Sequence, residues 1–140
     1  MRGWGIVGLV NEPSAVDRAL ERARRRIAPR ARPEDISPAI GSGALVVDIR
    51  PDTLRGRDGE IPGSIVVERN VLEWRLDPTC ETRLADMDDP ARRVIVVCDE
   101  GYASSLAAAA LADLGLSDVT DLEGGYQAWR HSTSPADRQT

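Results

Sequence analysis

The sequence contains no lysine and no phenylalanine, and only one histidine and two cysteines in 140 residues. Two cysteines do not make a disulfide framework in a chain of this size. Two cysteines and a single histidine are also too few for a zinc site of the usual ligand spacing. No glycine-rich phosphate loop of the Walker kind is present. Long apolar runs are missing as well. The opening MRGWGIVGLVNEP carries a short apolar patch, too short for a membrane span, and no convincing signal-peptide cleavage site. Excess positive charge is absent: all 18 basic residues are arginine, yet the formal net charge is -5. General nucleic-acid affinity runs on clustered positive charge, so that class of function is disfavoured. The exclusive use of arginine reads as coding bias before function. What these absences leave is the expectation of a cytoplasmic protein with reduced thiols, without a membrane or nucleic-acid partner.

The remaining composition, 41% apolar and 29% charged, is that of a globular domain long enough to bury a core. SAVDRALERARRRI predicts a helix, with Ser14 as cap and Asp17 three residues on in a capping-box position. Val16, Leu20, Ala23 and Ile27 share one face, while Arg18, Arg22, Arg24, Arg25 and Arg26 crowd the other face and the C-terminal end. The expected arrangement is a helix docked on the body with a solvated basic face; a contact site for an acidic partner is the alternative. A Pro- and Arg-rich connection and a short helix follow before Gly41. ALVVDI (44–49), SIVVE (64–68), VIVVC (94–98) and DVTDL (118–122) read as strands. Pro62-Gly63 suits a type II turn. A long polar insertion with short helical pieces separates the second strand from the third. SSLAAAALADLGL is the clearest helix, with Gly115 at its C-terminus, and YQAWRH begins a last one. Continuously apolar strands alternating with helices predict an α/β domain with a mostly parallel sheet. The expected organisation is an arm and amphipathic helix packing on the body over 1–33, a main domain over 34–131, and a flexible tail over 132–140.

In parallel sheets, sites form where strands end and helices begin. Cys98 stands at such a place, in CDEGYASS between RRVIVV and LAAAALADLGL. Ser104 or Ser105 is expected to cap the following helix, whose free N–H groups and positive dipole end face the loop. Successive N–H groups around the sulfur make an anion-binding nest that favours a thiolate, and equally a persulfide. Gly101 lets the backbone bend. The only histidine, His131, is far along the chain, so no local Cys–His pair exists.

Four stretches in order, VVDIRP (46–51), GEIPGS (59–64), VIVVCDEGYASSLAAAALADLG (94–115) and VTDLEGGYQAW (119–129), resemble those of the rhodanese family. The resemblance covers about Gly41 to His131. It implies a five-stranded, mostly parallel sheet flanked by helices on both faces. It also implies a sulfurtransferase in which Cys98 attacks a sulfane sulfur, becomes a persulfide and passes the sulfur to a nucleophilic acceptor. The backbone N–H groups of Asp99, Glu100, Gly101, Tyr102, Ala103 and Ser104 would cradle the outer sulfur. Partners would be a small-molecule sulfur donor and an acceptor, with room for a protein partner; no metal or organic cofactor is implied. Cysteine phosphatases of related fold end their loop in arginine, as C-x5-R. Here the corresponding residue is Ser104, and a phosphate dianion loses its bidentate clamp.

The sequence also departs from the family. Its active loop often carries Arg or Lys, commonly where Ala103 stands here, and this loop holds Asp99 and Glu100 instead. Two carboxylates beside a thiolate repel anionic donors, which makes a neutral, protein-bound or zwitterionic persulfide a better donor than thiosulfate. Glu60 replaces a common histidine at a structural position. Asp48 and Arg50 either form a structural ion pair or, with Arg50 orienting substrate, support the loop. Arg69, Trp74 and Arg75 are candidates to rim the pocket, with Arg69 and Arg75 supplying the charge the loop lacks. Cys80 is a resolving thiol or an incidental one. A second class of function remains open: a non-catalytic or regulatory module that binds a protein partner or senses oxidants.

Overall fold

The computed structural model describes residues 12–133. The opening apolar patch and nearly all of the expected tail lie outside the described residues. The first helix, α1 (Ala15–Arg26), starts with the expected capping box. Ser14 Oγ accepts from the Asp17 N–H, and the Asp17 carboxylate accepts from the Ser14 N–H. Leu20, Ala23 and Ile27 are buried, whereas Val16 on the same stripe is exposed. The basic face departs from the solvated expectation. Arg25 remains outside, paired with Glu21, and Arg26 stays exposed while reaching the Ala112 carbonyl and Asp113, but Arg24 turns inward onto the Gly101 carbonyl.

After α2 (Ile36–Gly41) comes the first strand, β1 (Leu45–Asp48), and then α3 (Asp52–Asp58). β2 keeps only Ile65–Val66 of the expected five residues, because it is an edge strand with one neighbour. α4 (Leu72–Leu76) occupies the polar insertion. It is followed by β3 (Val94–Val97), α5 (Ala103–Asp113), β4 (Val119–Asp121) and α6 (Gly125–Ser132). The sheet is parallel with order β2-β1-β3-β4, so the two strands buried at its centre are the most continuously apolar ones. Among the described residues it has four strands where five were expected. The place beside β4 is taken by residues 29–31, which form an isolated parallel bridge between Ala31 and Leu122. Pro29 at its start and Pro33 just beyond it cannot donate ladder hydrogen bonds, which keeps the pairing short.

Alternation along the strands divides the core between two faces. Val47, Val94 and Val96 pack against Ile27, Leu72 and the small-residue stripe of α5, where Ala107, Ala108 and Leu111 are fully buried. Val46, Ile95 and Val97 pack on the other face against Ile36 of α2 and Tyr126 and Trp129 of α6. The helices therefore cover both faces of the sheet. No helix of the described residues is long and apolar enough to cross a membrane. Leu111 is wholly buried between α5 and the sheet. Leu111→Ala should leave a cavity and lower unfolding free energy by about 3 kcal/mol, read from urea midpoints at unchanged m-value.

Candidate active site

Cys98 is the first residue after β3, at the carboxyl edge of the sheet, and α5 begins five residues later. The intervening turn closes around the sulfur. The Gly101 N–H lies 3.1 Å from Cys98 Sγ and the Ser104 N–H 3.3 Å from it. The thiol donates to Ser104 Oγ at 3.2 Å. Gly101 has φ +89, and a Cβ there would lie 2.7 Å from the Gly124 nitrogen, so the turn needs glycine both for its conformation and for its closeness to the next loop.

Three carbonyls of the same turn, those of Cys98, Asp99 and Gly101, are met by donors from other segments. The N–H groups of Tyr126 and Gln127, in the first turn of α6, donate to the Cys98 and Asp99 carbonyls at 2.8 and 3.1 Å. That approach requires Gly125, where a Cβ would meet the Cys98 carbonyl oxygen at 2.6 Å. The Gly101 carbonyl accepts from Arg24 Nη2 (2.8 Å) and Arg30 Nη2 (2.9 Å). Ser104 and Ser105 do not cap α5 as expected. Tyr102 is the N-cap and makes no side-chain capping bond. Both serine hydroxyls donate instead to Asp121 Oδ2 at 2.7 Å. Asp121 is fully buried at the end of β4 and is neutralised by Arg30, whose Nε reaches Oδ1 at 2.8 Å.

Above the sulfur opens a pocket of about 300 Å³, walled by Ile49, Leu54, Tyr102 and Ala103 and rimmed by Arg69, Asp99 and Glu100. Arg50 lines it only from below. Its side chain has no exposed surface, and it forks onto Asp48 (2.8 Å), donates to the Gly59 carbonyl and lies 3.8 Å from the centre of the Tyr126 ring. The ion pair is thus present, and the same residue lines the pocket. Arg69 is half exposed and paired with Glu73 at 2.8 Å. Arg75 does not line the pocket. Its guanidinium turns to the Thr82 carbonyl in the insertion, because α4 points it away from the Cys98 loop. Trp74 is exposed on the same short helix, also outside the pocket lining. Cys80 lies in that insertion with its sulfur 3.2 Å from Thr82 Oγ1. Both cysteines are free thiols.

Asp99 is drawn to one side. Its Oδ1 accepts from Gln127 Nε2 at 3.0 Å, and the same amide donates to Asp58 Oδ2. Glu100 is exposed. Arg24, Arg30, Asp121 and Gln127 are the functional-site residues that sequence reasoning missed. Of these, only Asp121 carried a signal: a carboxylate inside an otherwise apolar strand demands a partner.

A parallel α/β sheet with a cysteine-centred N–H nest at the carboxyl end of its middle strand defines the class: a rhodanese fold with an intact cysteine loop. The chain belongs to the rhodanese-like domain family, whose model matches residues 33–132. It is 37% identical over 105 residues to the thiosulfate sulfurtransferase GlpE of Stutzerimonas stutzeri, covering 75% of this chain and 86% of that protein. A Pseudomonas fluorescens GlpE is 40% identical over 106 residues, with the same coverage. Among solved structures, RPA3614 of Rhodopseudomonas palustris, a protein of unknown function described as a possible tyrosine phosphatase, is similar with a TM-score of 0.76 and 30% identity over 94% of this chain and 98% of its own. Human single-domain sulfurtransferase TSTD1 shares the fold, with a TM-score of 0.63 at 20% identity, over 76% of this chain and 99% of its own.

One electrostatic feature of the loop's surroundings is testable by pH. The Arg57 guanidinium, hydrogen-bonded to Asp58, holds its carboxyl well below the usual carboxylate range, with the Gln127 amide and Arg130 acting in the same direction against the effect of burial. A carboxylate depressed in the folded state contributes stability that is present above its unfolded pKa and lost as pH falls through the folded one. Asp58→Asn should therefore lower the urea midpoint at pH 7, and the gap to wild type should narrow as pH falls below about 4.

Proposed function

We propose that this rhodanese-type sulfurtransferase carries sulfane sulfur as a persulfide on Cys98. The observation that supports this reading is the nest itself: Gly101 and Ser104 N–H groups aimed at Sγ while the Cys98, Asp99 and Gly101 carbonyls are committed elsewhere. In the first half-reaction the Cys98 thiolate attacks the outer sulfur of the donor. A new S–S bond forms, the donor's S–S bond breaks, and from thiosulfate the electron pair departs with sulfite. In the second, a nucleophilic acceptor attacks the outer sulfur and the bonding pair returns to Cys98 as thiolate. Between the two, the outer sulfur is anionic. N–H groups of Asp99 through Ser104 are its stabilising environment, acting as preorganised donors in a site that is already built.

Thiosulfate or another small persulfide donor fits the pocket, and the relatives named for thiosulfate favour testing it first. The engagement of the Asp99 carboxylate by Gln127 removes part of the objection to an anionic donor. Arg69 is the rim cation that meets such a donor. Two unpaired thiols suit a reducing, cytoplasmic setting. Phosphatase chemistry is disfavoured because the position that would hold the phosphate-clamping arginine is Ser104, whose hydroxyl is bonded to Asp121.

Intact mass after incubation with thiosulfate and with a persulfide donor tests the reading. Wild type should gain one sulfur that cyanide removes, and Cys98→Ser should gain none. No gain in wild type with any donor would sink the transfer reading and leave the partner-binding or oxidant-sensing module. For the rim, Arg69→Gln should raise the thiosulfate KM about two- to five-fold, the size expected for a half-exposed charge contact. Arg75→Gln should leave it unchanged; equal effects from both would contradict the rim assignment.

A further inference from the structure

We propose that Arg24 and Arg30, which precede the residues matching the family, are positioning residues for sulfur transfer: they pin the outer side of the Cys98 loop so that its N–H groups face the sulfur. The proposal rests on the reading of Cys98 as the sulfur carrier. It supplies what the loop lacks in its own sequence, since Asp99 and Glu100 stand there and no basic residue does.

The two arginines reach the loop by different routes. Arg30 is placed by the short pairing of residues 29–31 with β4, in which the Ala31 N–H donates to the Asp121 carbonyl and Thr120 Oγ1 donates to the Pro29 carbonyl. Side chains alternate along an extended segment. Ala31 therefore joins the core on one face while Arg30 points to the other, where Asp121 lies. Arg24 comes from the last turn of α1. It donates to the Gly101 carbonyl and Ser105 Oγ, and its guanidinium lies 5.7 Å from the centre of the Tyr102 ring.

Both cations converge on a single carbonyl, that of Gly101. The peptide joining Gly101 to Tyr102 is planar and trans, so fixing its C=O toward the arginines fixes its N–H in the opposite direction. Neither arginine lines the pocket above Cys98. Their action on the donor is therefore indirect: they hold and polarise this one peptide, whose N–H is that of Tyr102, in a turn whose Gly101 and Ser104 N–H groups face Sγ. Arg30 has a second effect through Asp121. With Arg30 and Ser105 on that carboxylate, Ser104 can turn its hydroxyl proton to a charged sulfur without leaving a buried carboxylate unpartnered.

The test measures single-turnover persulfide formation from thiosulfate and steady-state transfer to cyanide, each normalised to the fraction of alkylatable Cys98. The variants are Arg24→Gln, Arg24→Lys, the double variant Arg30→Gln/Asp121→Asn, which removes both charges of the buried pair, and Arg22→Gln as an exposed control on the same helix. Arg24→Gln should lower kcat about tenfold, the effect of one lost charge-assisted hydrogen bond, with thiosulfate KM within twofold. Arg24→Lys should recover part of the loss, the double variant should lose at least as much as Arg24→Gln, and Arg22→Gln should match wild type. Unchanged kcat per reactive thiol in Arg24→Gln and the double variant overturns the proposal, as does a raised KM at constant kcat, which would make these arginines donor-binding. Should the double variant not fold, Arg24→Gln decides alone. If wild type forms no persulfide at all, it is the transfer reading that fails. The positioning role is then judged by the rate of Cys98 alkylation with iodoacetamide, which should still fall about tenfold in Arg24→Gln.

Discussion

A short turn carries as many carbonyl oxygens as N–H groups, and both sets cannot face one sulfur atom. For the N–H groups of the Cys98 loop to point inward, its carbonyls must be turned outward and satisfied there. An unpaired backbone oxygen next to a buried thiol would undo the arrangement. The rest of the structure around the site serves this constraint. The first N–H groups of α6 take the Cys98 and Asp99 carbonyls, and two arginines take that of Gly101. Gly101, Gly124 and Gly125 all have positive φ, and they let two backbones meet closely enough for the α6 bonds to form. What looks like an active loop is thus an assembly of three chain segments, only one of which contains the cysteine.

The buried charges follow from the same need for fixed geometry. Asp121 and Asp48 are both fully buried, and a carboxylate stripped of water is costly unless it is paired and hydrogen-bonded. Each meets the condition with an arginine fork, Arg30 for Asp121 and Arg50 for Asp48. Two serine hydroxyls complete the first pair. The second is covered by the Tyr126 ring and the Gly59 carbonyl. Such pairs add little net stability. They do favour one arrangement of the segments they join, because any slip exposes a charge to an apolar surrounding. Arg50 joins β1 to Gly59, the first residue of GEIPGS, and to α6, and Arg30 joins the N-terminal segment to β4 and α5.

The part of this architecture that was legible in the sequence is local. The capping box of Ser14 and Asp17, the apolar runs of β1 and β3, and the strand-turn-helix setting of Cys98 are written within a few residues of one another. What could not be read depends on contacts across long sequence separations. Ser104 and Ser105 look like helix caps, since hydroxyls at a helix start satisfy free N–H groups. A carboxylate far along the chain, Asp121, competes for them and wins. Arg24 looks solvated because helical periodicity separates an apolar from a polar face. It does not show that a long side chain at the boundary can reach back to the loop. Arg75 looks like a rim residue by its nearness to Arg69 in sequence, but Arg69 lies ahead of the five-residue helix that carries Arg75, and Arg75 turns to the Thr82 carbonyl. The missing fifth strand is a matter of degree: residues 29–31 lie where it would, with hydrogen bonds enough for a bridge only.

The use of N–H groups rather than side-chain cations at the sulfur also bears on which anion the site suits. A dianion such as phosphate calls for a bidentate arginine inside the loop, and a loop built that way holds its anion through full charges. A persulfide carries one diffuse charge on a large atom, and it must be surrendered to the next nucleophile in every cycle. A cradle of partial charges can stabilise such an anion without a full counter-ion in the loop. With Ser104 at the arginine position, the arginines stand behind the Gly101 carbonyl rather than beside the sulfur. The acidic residues are then tolerable, Asp99 being taken up by Gln127 and Glu100 standing in solvent, where its field is screened. A loop so built has no arginine within it to clamp a dianion.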